Sequence, residues 1–191
     1  MDVYFAIEVI SVVFSLLFLF LLIRENIWCW IFGIVGSGLS IFLFVYSKLY
    51  SEAVLYAFYV LIGIYGWYLW LHPKKDAKSV KITQWPWLRT LFYVSATLVA
   101  GLLLGFASNK FTDAEAPFVD SQTTVFSVLA SVLEAQKVLV SWVVWIAVNG
   151  ATIGLYWSRG LTVYAALMVI YFVVSVYGLY SWNKRFKLQR S

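Results

Sequence analysis

The sequence predicts an all-α integral membrane protein with seven transmembrane helices in a 3+1+3 arrangement. Three observations carry that expectation. Of 191 residues, 63% are hydrophobic and 12% charged, with a mean hydropathy of +0.85, whereas a water-soluble domain carries about 25% charge. Several apolar runs are long enough to cross a hydrocarbon core, which takes about 20 helical residues. These runs are filled continuously with Leu, Val, Ile, Ala, Tyr and Trp, without the period-two alternation of a membrane β-barrel.

The first span is placed at 3–23. It follows M1-D-V-Y, which lacks a basic leader region, and runs into R24-E-N without a small-residue cleavage pattern. It is therefore read as a retained helix. The second span, 27–47, holds the single Cys29, which cannot close an intrachain disulfide and reads as a small buried apolar side chain. The third, 50–71, closes on Y65-G-W-Y-L-W70. The fourth, 88–107, is the plain run beginning L88-R-T-L-F-Y. The fifth, 119–138, is the most polar, and the odd helix count depends on it. The sixth and seventh are placed at 139–157 and 160–182. As domains, residues 1–71 form a first three-helix bundle and 72–107 a cytoplasmic loop with a linker helix. Residues 108–183 form a second bundle and 184–191 a basic cytoplasmic tail.

Charge and repetition support this layout. Seven spans leave Lys48, Lys110 and Arg159 on one side of the membrane. The other side holds Arg24, Lys74, Lys75, Lys78, Lys81, Arg89, Lys137, Lys184, Arg185, Lys187 and Arg190. The basic side is cytoplasmic, which puts the N-terminus outside and the C-terminus inside. A shift of 112 residues lays Trp30 on Trp142, Gly38 on Gly150, Leu49 on Leu161, Ala53 on Ala165 and Tyr59 on Tyr171. It also lays Y65-G-W-Y-L-W70 on Y177-G-L-Y-S-W182. A shift by four helices keeps the orientation, so the two bundles are parallel, with a binding site expected between them.

Polar groups in hydrocarbon are costly and mark cavities or helix contacts. In the sixth span Trp142, Trp145, Asn149 and Tyr156 share one broad face. Two indoles can stack on a flat, especially cationic, heteroaromatic ring, and an amide can both donate and accept. Anchoring of the tryptophans at the interface and helix packing by Asn149 is the alternative. The first half has Trp30, Gly33 and Ser37 at the matching positions, too small for an equivalent cage. In the fifth span Asp120, Thr124, Ser127, Ser131 and Glu134 form a polar stripe, with Gln122 nearer the outer mouth. The stripe lines a cavity or packs helices through small hydroxyls. Tyr59 and Tyr171 offer hydroxyls from the third and seventh spans. Glu8, early in the first, attracts a cation, couples to a proton or snorkels to the surface.

The net charge of +5 lies mostly in membrane-flanking patches, which topology explains better than nucleic acid. No zinc spacing, P-loop or dinucleotide fingerprint occurs, so no metal or cofactor is expected. A membrane enzyme would need a convergent His/Asp/Lys set inside the spans, yet the lone His72 lies in the basic loop. A channel would need polar lining in both halves. A transporter is the expectation, and a non-transporting membrane interaction protein is the rival from another class.

W142-x-x-W145-x-x-x-N149, followed by L155-Y156 and Y177-G-x-Y-x-W182, resembles the PnuC family of bacterial vitamin transporters over nearly the whole chain. The resemblance implies a 3+1+3 fold related to full-length SWEET transporters, in the bacterial cytoplasmic (inner) membrane, and a homotrimer. It implies uptake of nicotinamide riboside by facilitated diffusion, with phosphorylation by a cytoplasmic kinase as the trap and no direct kinase contact. Thiamine, also a flat cation, is the alternative substrate. Carried over residue by residue, the binding motif falls on Trp142, Trp145 and Asn149.

Overall fold

The computed structural model describes residues 3–48, 50–73, 80–112, 116–160 and 162–190. The repeat positions Leu49 and Leu161 and the basic residues Lys74, Lys75 and Lys78 lie outside them. The described residues fold into seven α-helices: α1 (Val3–Ile23), α2 (Cys29–Tyr46), α3 (Tyr50–Leu71), α4 (Trp87–Phe111), α5 (Pro117–Ala135), α6 (Val140–Ser158) and α7 (Thr162–Leu188). The described residues hold no sheet, only an isolated parallel bridge between Thr83 and Val138. Six helices are long and apolar enough to cross a membrane; α5 is the exception. Its polar stripe lowers its apolarity, which is also what made it the uncertain element in the sequence.

α7 runs farther than the sequence reading, to Leu188. No Gly or Pro stops it after Trp182, and Arg185 and Lys187 in its last turn complement the negative end of the helix dipole.

The chain divides into two compact units, Met1–Val80 and Lys81–Ser191. In the first, α2 packs against both α1 and α3. In the second, α4 packs on α5, α5 on α6 and α6 on α7. The fourth helix is thus an integral part of its unit, because glycines let it approach α5. A Cβ at Gly105 would strike Phe118, and one at Gly101 would strike the Gln122 amide. The segment before α4 is pinned to the α5–α6 turn. Thr83 N donates to Lys137 O at 2.9 Å, and Leu139 N donates to Thr83 O at 2.8 Å.

The 112-residue repeat reappears in the backbone. The four described residues with positive φ are Glu25, Lys48, Lys137 and Gly160, and they form two pairs at that spacing. Glu25 and Lys137 each end a helix in the same way. Asn26 N bonds Leu21 O at 2.9 Å and Glu25 N bonds Leu22 O at 2.9 Å. At the equivalent turn Val138 N bonds Leu133 O at 2.8 Å and Lys137 N bonds Glu134 O at 3.0 Å. Both are Schellman closures, which satisfy the carbonyls left over at a helix end.

It reappears in the packing too. Trp30 meets Trp70 edge-on, centroids 5.4 Å apart and planes at 87°; Trp142 meets Trp182 at 5.3 Å and 87°. Each first ring lies flush on a glycine: a Cβ at Gly66 would overlap Trp30, and one at Gly178 would overlap Trp142. Each unit is closed by the same Trp–Gly–Trp lock.

Candidate functional site

Helix α6 carries the tryptophan–asparagine face, and the fold divides that face between its two neighbours. Trp142 turns to α7, fully enclosed against Gly178 and Trp182. Asn149, one turn and then another along α6, also reaches α7. Its amide Nδ2 donates to Ser175 Oγ at 3.1 Å, and Ser175 Oγ donates in turn to Tyr171 O at 2.8 Å. Trp145 instead packs against the α5–α6 core of Ala130, Leu133, Val138, Val144 and Val148, and stays half-buried. The half-buried indole is therefore the one on the α5 side.

Two hydroxyls of the α5 polar stripe, and Thr123 beside it, turn back on their own helix. Thr123 Oγ1 donates to Val119 O at 3.0 Å, Ser127 Oγ to Thr123 O at 2.7 Å and Ser131 Oγ to Ser127 O at 2.8 Å. Such back-bonding lets a hydroxyl sit in apolar surroundings without a partner on another helix. Asp120 in the first turn accepts from Arg159 Nη2 at 3.1 Å, tying the start of α5 to the end of α6.

Glu134 is the exception in the stripe. It is only 3% exposed. Its carboxyl lies beside the Trp145 indole N–H without closing a hydrogen bond, since neither Glu134 Oε1 nor Trp145 Nε1 has a partner. The Glu134–Trp145 and Asp120–Arg159 contacts are equally spaced along the two helices, so they fix one antiparallel register. Glu134 and Trp145 consequently lie towards the α5–α6 turn, opposite Asp120 and Arg159, with Asn149 midway along α6.

The remaining expected residues are dispersed. Gln122 points to α4, where Nε2 donates to Leu98 O at 3.0 Å. Tyr156 packs on Tyr164 near the α6–α7 turn, centroids 5.9 Å apart. It lies about 16 Å of helix rise from Trp145. Ser127 is buried and Thr124 half-buried along α5. Tyr171 is half-buried one turn before Ser175. In the first unit Tyr59 lies edge-on to Tyr56 at 5.3 Å, and Glu8 is exposed on α1. No cluster of metal-ligating side chains occurs among the described residues.

Two residues beside Trp145 and Asn149 were not singled out from the sequence. Ser175 is one of several small residues on α7, and nothing in the sequence separates it from the others. Glu134 was visible as one acid of the α5 stripe. Its signal was position: an acid in the last helical turn, where the helix dipole opposes it.

The repeat explains how Trp145 found its place. At the equivalent point of the first unit is Gly33, and a Cβ there would meet the Phe18 ring at 2.9 Å. Phe18 in turn corresponds to Ala130. The large residue is on α1 in one unit and on α6 in the other. Residues 5–184 match the family described as Nicotinamide mononucleotide transporter.

The chain belongs to that family. It is 24% identical to the Nicotinamide riboside transporter PnuC of Escherichia coli (strain K12), over 92% of this chain and 84% of that one. It is 28% identical to the protein of the same name from Neisseria mucosa, over 83% of this chain and 64% of the relative. The Riboflavin/roseoflavin transporter RibM of Streptomyces davaonensis is 24% identical, over 92% and 83%. A solved structure described as the Vitamin B3 transporter PnuC superposes with a TM-score of 0.77 at 24% identity, covering 95% of this chain and 82% of that one. That likeness is one of fold. The protein is thus a multi-pass membrane transporter of the PnuC family for a small vitamin-like ligand, and not an enzyme.

Proposed function

We propose that the protein takes up nicotinamide riboside by facilitated diffusion across the bacterial cytoplasmic membrane. One observation carries the reading: a half-buried indole, Trp145, stands one helical turn from an amide, Asn149, that Ser175 holds in a fixed orientation. The indole face accepts a flat ring, and the amide can reach a carboxamide or hydroxyl. The names of two relatives support the choice of ligand. Phosphorylation by a cytoplasmic kinase, without direct contact, draws the flux inward.

In this reading α5 crosses the membrane as well, shielded by α4 and α6. The seven crossings give the 3+1+3 arrangement of two parallel bundles, with the N-terminus outside and the C-terminus in the cytoplasm, assembled as a homotrimer. The basic residues of the described Lys81, Arg89 and Lys137 then face the cytoplasm, as the positive-inside rule requires. The outer end of α5 is marked by the Asp120–Arg159 pair.

The test is binding of nicotinamide riboside, thiamine and riboflavin to the purified protein, repeated on Trp145→Ala and Asn149→Ala. Micromolar or tighter binding of nicotinamide riboside, weakened in both variants, supports the reading. Preference for thiamine or riboflavin replaces the substrate, and binding indifferent to both substitutions removes the site.

A further inference from the structure

We propose that Glu134 is the charge-recognition residue of the vitamin site, selecting a cationic ring over a neutral one at the Trp145 indole. The proposal rests on the reading above and adds to it the charge class of the ligand.

Glu134 incurs three costs where it stands. It is 3% exposed, and Oε1 has no hydrogen-bond partner; burying an unsatisfied carboxyl oxygen is expensive. It lies in the last turn of α5, where the helix carbonyls repel negative charge. No cation among the described residues pairs with it. α6 carries no charged residue between Val140 and Ser158, and Arg89 of α4 is engaged over the Trp85 ring at 4.1 Å.

The fold does not need these costs, because the chain contains its own control. In the first unit the equivalent residue is Leu22, fully buried and followed by the same Schellman closure through Glu25 and Asn26. A leucine therefore meets every local demand of this position. Among the differences between the units, two are neighbours: Glu134 replaces a leucine and Trp145 replaces a glycine. The two new side chains lie together, the carboxyl beside the indole N–H.

Their combination has one chemical use that neither has alone. A flat ring stacked on Trp145 gains from its quadrupole if positively charged. It gains again if the positive ring edge meets a carboxylate out of water, where charge pairing is strongest. A neutral ring of the same shape receives only the stacking.

The experiment measures affinity of the full-length purified protein for nicotinamide riboside and for its neutral dihydro form, which has the same size. Thiamine serves as a second cation and riboflavin as a second neutral ring. Wild type should prefer the cation of the matched pair by about tenfold or more. Glu134→Leu installs the residue the first unit already accommodates, so the variant should fold. It and Glu134→Gln should weaken cation binding about ten- to a hundredfold, the range of a hydrogen bond to a charged group. Binding of the neutral form should change no more than about twofold.

Equal weakening of both ligands would assign Glu134 to positioning Trp145 and overturn the proposal. Wild-type preference for the dihydro form or for riboflavin would overturn it as well, while leaving the vitamin site standing. Binding of none of the four probes, or binding unaltered by Trp145→Ala, would remove the site itself and the proposal with it.

Discussion

Trp142 meets Trp182 edge to face, their centroids 5.3 Å apart and their planes at 87°, with Gly178 beneath the first ring. The same three positions, 112 residues earlier, are Trp30, Trp70 and Gly66 in the same relation. The relation is structural in both units, since the indole N–H groups of Trp30, Trp142 and Trp182 are buried without acceptors. This packing explains the matching Tyr-Gly-x-Tyr-x-Trp endings better than ligand binding does.

Gly178→Ala and Gly66→Ala should each destabilise the protein. A methyl group in either position overlaps the facing indole, and overpacking of this kind costs about 1–3 kcal/mol. Thermal unfolding in detergent should show lowered midpoints of similar size for the two variants. Unchanged midpoints would mean that the rings move aside freely.

Trp142 and Trp145 should separate by phenotype. Trp142 is enclosed, so Trp142→Ala leaves a cavity and lowers the unfolding midpoint. Trp145 is half-buried, and Trp145→Ala should chiefly weaken vitamin binding, by about ten- to a hundredfold if one ring stacks on it. Calorimetric titration next to a thermal scan distinguishes the two.

Asn149 and Ser175 should be energetically coupled. Ser175→Ala removes the acceptor of the 3.1 Å bond and frees the amide to rotate. A double-mutant cycle with Asn149→Ala on ligand affinity should give a coupling of about 0.5–1.5 kcal/mol. Strict additivity would show that Ser175 does not orient the amide.

The exchange of bulk between the units should be transferable. Ala130→Phe copies Phe18 and should collide with Trp145, lowering both stability and binding. Adding Trp145→Gly recreates the Phe18–Gly33 pair, which already packs in the first unit. The double variant should recover thermal stability without recovering binding.

The Asp120–Arg159 pair should contribute little to stability, because its side chains are 25–39% exposed. Charge reversal at both positions should leave the midpoint within about 1 kcal/mol of wild type. A larger loss would show that the pair is screened from water.

The sequence by itself determined the helices, their approximate limits and the duplication. Apolar run length is a local property, and a fixed spacing of Trp, Gly and Tyr survives without any knowledge of contacts. It also placed Trp145 and Asn149 on one face of α6, because helical periodicity is carried by the chain alone. What each of those side chains faces was decided by tertiary structure. Trp142 and Trp145 look alike in a string of letters, yet one is locked on Gly178 and the other stands against α5. The hydroxyls of α5 read as cavity lining or helix packing; that Ser127 and Ser131 bond back to their own helix depends on what surrounds them. Glu134 gained its meaning only when the fold brought its carboxyl to an indole from the next helix, with Oε1 and the indole Nε1 left without a well-formed hydrogen bond. Its repeat partner, Leu22, shows that the turn itself did not require an acid. A buried polar group costs free energy through its environment, and that environment is assembled by residues distant in sequence.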